Sequence, residues 1–146
     1  MRLLFKFLRF EAGDRHLLIM TLILLAAMRL GLWLLPFRTL LKLLARISQP
    51  VYPQPANQVS IHKIVWAVNI ASRYMLGVKC LARALTTQFL MNRYSHPCQL
   101  RIGVAKDKTG ILEAHAWIEH QGKIVIGNLS DLSRFIPLPT LEGVKL

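Results

Sequence analysis

The spacing of apolar positions changes twice along the chain, and those changes divide it. Over residues 1–48 leucine dominates and intrinsic propensity favours helix. Asp14 followed by Leu17, Leu18, Thr21, Leu22 and Leu25 predicts a capped helix with one dominant apolar face. Pro36 breaks it, and residues 37–47 predict a second amphipathic helix with Arg38, Lys42 and Arg46 spaced by four along one side. Residues 49–59 hold three prolines and no charge, which predicts an extended linker and a boundary between a 1–48 segment and a 60–146 domain.

Beyond that linker the period shifts from helix to strand. Ser60 is placed to cap a helix carrying Ile64, Val65, Val68, Ile70, Ala71 and Tyr74, ending near Gly77. A second helix is predicted from about Cys80 to Tyr94, with Leu81, Ala84, Leu85, Phe89 and Leu90 inward, until His96-Pro97 stops it. Leu100, Ile102 and Val104 then alternate with Gln99, Arg101 and Gly103 as in a strand. Residues 112–119 and 123–126 predict two more strands joined through Gln121-Gly122 as a hairpin. The tail has no clear period. Two helices followed by an antiparallel sheet make the class α+β.

Composition sharpens this outline. With 53% hydrophobic and 18% charged residues in 146, the chain is no disordered tail, and a core plus membrane contact both come into question. The uncharged run Leu17–Met28 is twelve residues, short of the roughly 20 that a span requires. Extending it means placing Arg29 in the bilayer, at a cost of about 2.5–3.5 kcal/mol on insertion scales. A helical hairpin packed on the main domain or on a partner is the preferred reading of residues 1–48. A helix pair on a membrane surface ranks second and a spanning helix third. The net charge of +12 is spread along the chain. No Lys/Arg run or aromatic-basic ladder accompanies it, so nucleic acid is not the expected partner. Glu11 and Asp14 precede the apolar run, no small-residue cleavage site follows it, and Cys80 and Cys98 form neither a disulfide framework nor a zinc spacing. A reduced, cytoplasmic protein without metal or cofactor is expected.

The chemistry rests on one cysteine and one histidine. Cys80 follows Gly77-Val78-Lys79 at the first turn of the predicted second helix, where unpaired N–H groups, the helix dipole and Lys79 favour a thiolate. By itself such a cysteine is more often a core residue. His115 supplies a partner. It lies within the predicted 112–119 strand between two alanines, on the face of Glu113, Trp117 and Glu119, with space around a ring suited to general-base work. His120, at the hairpin turn, is expected to be solvated. His16, His62 and His96 have only surface or helix-end readings.

The block from Cys80 through Leu85, then Leu100-Arg-Ile-Gly-Val-Ala105, Glu113-Ala-His-Ala-Trp-Ile-Glu119 and Gly122-Lys-Ile-Val-Ile-Gly127, resembles the B-type leader peptidases of lasso-peptide biosynthesis. More widely it is similar to transglutaminase-like and papain-like cysteine enzymes. The resemblance spans about residues 64–127, and the leucine-rich opening is similar to that family's N-terminal segment. It implies a transglutaminase-like fold and a cysteine protease that removes the leader from a ribosomally made lasso-peptide precursor. It also implies an asparagine-synthetase-like cyclase that closes the macrolactam. Leader reading in that family belongs to a small winged-helix-like domain. Residues 1–50 lack its strands, so a separate leader-binding protein is implied. Cys80 would be the nucleophile and His115 the base. The family's usual aspartate is replaced by Gly127, which leaves Asn128 and Asp131 as candidates for orienting the imidazole. A transglutaminase-fold acyltransferase or amidase acting on another peptide is the alternative, and a non-enzymatic membrane-bound scaffold the third reading.

Overall fold

A computed structural model describes residues 2–47, 59–75, 80–94 and 96–137. The expected proline-rich linker and most of the tail fall outside these residues, as does Gly77-Val78-Lys79. Among these residues, five α-helices precede the strands: α1 (Arg2–Leu8), α2 (Ala12–Leu34), α3 (Phe37–Ile47), α4 (Ile61–Tyr74) and α5 (Cys80–Arg93). Four strands follow, β1 (Gln99–Lys106), β2 (Leu112–His120), β3 (Lys123–Ile126) and the short β4 (Ile136–Pro137), in the antiparallel order β3-β2-β1-β4. The class is α+β, as the change of period predicts.

Ser60 caps α4 through its side chain, which accepts from the Lys63 amide at 3.2 Å. Asp14 does not cap α2. The helix begins earlier, after Glu11, without a side-chain cap, and Asp14 instead accepts from Lys63 Nζ at 2.7 Å, tying α2 to α4. That carboxylate, by hydrogen bond and charge, raises the Lys63 pKa above its ordinary value. α2 also runs unbroken past Arg29 to Leu34, longer than the uncharged run alone suggests. Leu17, Leu18, Thr21, Leu25 and Met28 are buried along one side, while Leu22 is only half-buried.

α5 is the central element. α2 and α4 pack on one side of it and β2 and β1 on the other, so nearly its whole circumference is buried, including Thr86 and Thr87. Those two hydroxyls donate to the carbonyls of Ala82 and Arg83, four residues back, which removes the cost of enclosing them. Leu40 and Leu44 of α3 join the same core as Leu25, Ile64, Leu85 and Ile118. The core is therefore continuous from the first long helix to the sheet.

The β2–β3 turn places both Gln121 (φ 51°) and Gly122 (φ 76°) in the left-handed region, the geometry that suits a two-residue hairpin. β4 lies in the tail whose period is unreadable. It pairs Ile136 with Val104 and Pro137 with Gly103. Its two residues are too few for a periodic signal, and Pro137 is acceptable there because β4 is an edge strand.

Candidate active site

Two sheet faces have different neighbours. Ala116 and Ile118 of β2, with Leu100 of β1 and Ile126 of β3, belong to the core that includes α5. The alternate positions Glu113, His115, Trp117 and Glu119 face the other way, where the chain after β3 folds back over the sheet. Gly103 is directly opposite His115 in the β1–β2 register. A Cβ at Gly103 would lie 2.9 Å from the Trp117 ring and 3.0 Å from Phe135 Cβ, so the missing side chain is what admits both aromatics. Trp117 and Phe135 are almost fully buried on this face.

His115 is held by that aromatic pair and by one backbone group. Its ring stacks with Trp117 (centroids 6.1 Å apart, planes at 20°) and tilts against Phe135 (5.7 Å, 50°). Its Nε2–H donates to the Gly127 carbonyl at 2.6 Å. A carbonyl can only accept, so the proton of the neutral ring resides on Nε2 and the lone pair on Nδ1. The ring is thus oriented, and its tautomer selected, with Nδ1 as the basic atom.

Gly127 can make this approach because it has no side chain. Its φ is +86°, and a Cβ would meet the Ala116 carbonyl oxygen and Trp117 Cβ at 2.8 Å each. Neither residue expected to orient the ring is joined to it in the structure. Asn128 is exposed. Asp131 accepts from Arg134 at 3.1 and 3.3 Å, and Arg134 also reaches Glu113 at 2.8 Å and the Lys106 carbonyl at 3.0 Å. Those two carboxylates, Glu113 first, raise the Arg134 pKa above its ordinary value. The position where the family's aspartate is expected contributes a main-chain oxygen instead. Sequence inspection overlooks this because the acceptor belongs to the backbone and carries no residue-type signature.

Cys80 is the first residue of α5, half-buried and free, at the helix end with unpaired backbone N–H groups. It packs against the core shared by the helices and the inner sheet face. No hydrogen bond joins it to His115 in the structure. Arg83, one turn along α5, shares its side of the helix by the three-residue spacing. Its guanidinium donates to Asn69 Oδ1 of α4 at 2.6 Å, and its buried Nε has no hydrogen-bond partner among the described residues. The same spacing is readable in the sequence, and it sets Arg83 on the Cys80 side of α5.

The remaining candidates separate clearly. Cys98, half-buried, points its thiol at Asn92 Oδ1 at 3.8 Å. His120 is half-buried within β2, not simply solvated at the turn, and donates from Nδ1 to the Pro97 carbonyl at 2.5 Å. His96 likewise ties Val59 through its carbonyl at 2.7 Å. Both imidazoles fasten the strand entry to neighbouring backbone.

A cysteine at a helix start is thus followed in the chain by an antiparallel sheet that carries a histidine held in one orientation. The transglutaminase-like superfamily model matches residues 22–140. The chain belongs to that superfamily, and its fold is transglutaminase-like. Members of this class are usually enzymes, cysteine proteases or acyltransferases. No curated protein and no solved structure shows a significant match to the chain. The matched region starts at Leu22, inside α2.

Proposed function

We propose that the protein is a cysteine peptidase that removes the leader from a ribosomally made lasso-peptide precursor. In this reading it works in the cytoplasm with a separate winged-helix-like leader-binding protein and an asparagine-synthetase-like cyclase. The observation that carries the peptidase assignment is the His115 ring, anchored through Nε2 on Gly127 with Nδ1 left as base. The narrower assignment to lasso peptides rests on the likeness of residues 80–85, 100–105 and 113–127 to those peptidases.

The reaction follows from these groups. His115 Nδ1 takes the Cys80 proton, and the thiolate attacks the scissile carbonyl. The oxyanion is received by a backbone N–H at the start of α5. The imidazolium then protonates the leaving amine, the C–N bond breaks, and a thioester remains. Water attacks the thioester with His115 as base, which releases the acid and restores the thiol. Trp117 and Phe135 limit water around the ring, and the Gly127 carbonyl supports the imidazolium. This reading requires the Cys80 thiol, which packs on the α5 side of the sheet, to reach the His115 ring, which lies with Trp117 and Phe135 on the other face.

Mass spectrometry of a candidate precursor, incubated with this protein and the leader-binding partner, tests the assignment. Cys80→Ala should abolish leader removal, while Cys98→Ala should keep most of it; the reverse result overturns the nucleophile. Omitting the partner should raise apparent KM with less effect on turnover at saturating precursor, since tethering acts through effective concentration. An acyltransferase or amidase of the same fold uses the same pair. It would be revealed by a product carrying a new amide bond, or by loss of a side-chain amide, in place of a cut backbone.

A further inference from the structure

α2 is apolar on two opposite faces, and the domain uses only one. Leu17, Leu18, Thr21, Leu25 and Met28 are buried against the rest of the fold. On the other side Ile19, Ile23, Leu30, Trp33 and Leu34 form one strip at helical spacing, with Ile23 64%, Leu30 54% and Trp33 81% exposed. The strip is about 22 Å long at the helical rise. A continuous exposed strip of this kind marks a contact surface, whereas scattered apolar residues do not.

Charge indicates what covers it. Residues 1–48 carry eight Lys/Arg against Glu11 and Asp14, and Asp14 is already engaged by Lys63. Arg29 lies beside the strip, and immediately beyond its end α3 exposes Arg38, Lys42 and Arg46 on one face. A second copy seated on this surface would set cations against cations. An anionic bilayer accepts both features. Acyl chains take the apolar strip, headgroups take the cations, and an exposed indole near one end suits the interface. By length and composition α2 is able to cross a membrane, but spanning would pull its other face away from α4 and α5.

We propose that the outer face of α2 and the basic face of α3 seat this protein on an anionic lipid surface, with α2 lying in the interface and its inner face remaining in the domain core. The surface placement does not depend on the peptidase reading.

Co-sedimentation of the full-length protein with vesicles tests it. The protein should pellet with phosphatidylglycerol–phosphatidylcholine vesicles and only weakly with phosphatidylcholine alone, and added salt should release it. The triple variant Arg38→Glu, Lys42→Glu, Arg46→Glu should weaken binding on the order of 100-fold. Ile23→Glu with Leu30→Glu should abolish it while circular dichroism and Tm stay at wild-type values, since both residues are exposed. If that pair perturbs the fold, Trp33→Ala supplies a second readout by removing an emission blue shift on vesicle addition. No partition onto anionic vesicles overturns the proposal, as does binding that the three charge reversals leave unchanged. A dimer in solution that Ile23→Glu dissolves would assign the face to a second copy. Protection of an N-terminal tag across sealed vesicles would show a span.

Discussion

At the scale of single residues, His115 is defined by its attachments more than by its neighbours in sequence. His115→Ala should lower turnover by orders of magnitude, while His120→Ala should leave turnover near wild type and cost about 1 kcal/mol through its lost bond to Pro97. Steady-state kinetics beside thermal melts separate the two effects, and equal loss of turnover in both variants would point to damage to β2. Asn128→Ala and Asp131→Ala should stay within a few-fold of wild type, because neither side chain is bonded to the ring; a large loss in either would move the orienting role from the Gly127 carbonyl to that residue. Gly127→Ala combines an unfavourable positive φ with a 2.8 Å clash. It should destabilise the fold by about 2–4 kcal/mol and lower turnover at temperatures where the protein is still folded. A variant with wild-type Tm and turnover would show that the backbone at this point is not needed where it is.

Among the elements, the hairpins place the site. The β1–β2 loop is closed by Asp107, which accepts from the Thr109 amide (2.8 Å), the Thr109 hydroxyl (2.6 Å) and the Ile111 amide (2.9 Å). The Thr109 hydroxyl first, and the Ile111 amide second, hold the Asp107 carboxyl below its ordinary pKa. A carboxyl depressed on folding adds stability that is fully present above its unfolded value, near 3.9, and lost as pH falls through the folded value. Asp107→Ala should therefore have a lower Tm than wild type at pH 7, with the gap closing in acid below the folded pKa. A gap independent of pH would mean that loop packing, not the charge, makes the difference. Beside this loop, Arg134 joins the Lys106 carbonyl, Glu113 and Asp131. It fastens the returning segment that carries Phe135 over His115.

For the whole molecule, the leucine-rich opening is part of the core. Leu17, Leu18, Leu25 and Met28 are 0–4% exposed, and burial of each such side chain contributes about 1.5–3 kcal/mol. Their sum is comparable with the roughly 5–15 kcal/mol of net stability of a domain. A chain beginning near Val51 should therefore fail to fold cooperatively, which circular dichroism and thermal melts would register as no sharp transition. A soluble, monomeric and fully active 51–146 fragment would show that α1, α2 and α3 serve only association.

The sequence alone determined which segments are helix and strand from residue 60 to 126, because Ser60, His96-Pro97 and Gln121-Gly122 act on their own neighbours. It also determined the chemical types, since a cysteine at a helix start and a histidine between alanines can be read locally. Tertiary structure decided the rest. The burial of α2's inner face depends on α4 and α5, which lie beyond the proline-containing residues 49–59 in sequence. β4 exists through its partner β1 and has no period of its own. The orienting group at His115 is a main-chain carbonyl, brought within 2.6 Å because Gly127 lacks a side chain. Local propensity acts over a few residues, whereas these contacts join residues 12 to some 50 positions apart, and their partners are fixed only when the chain closes on itself.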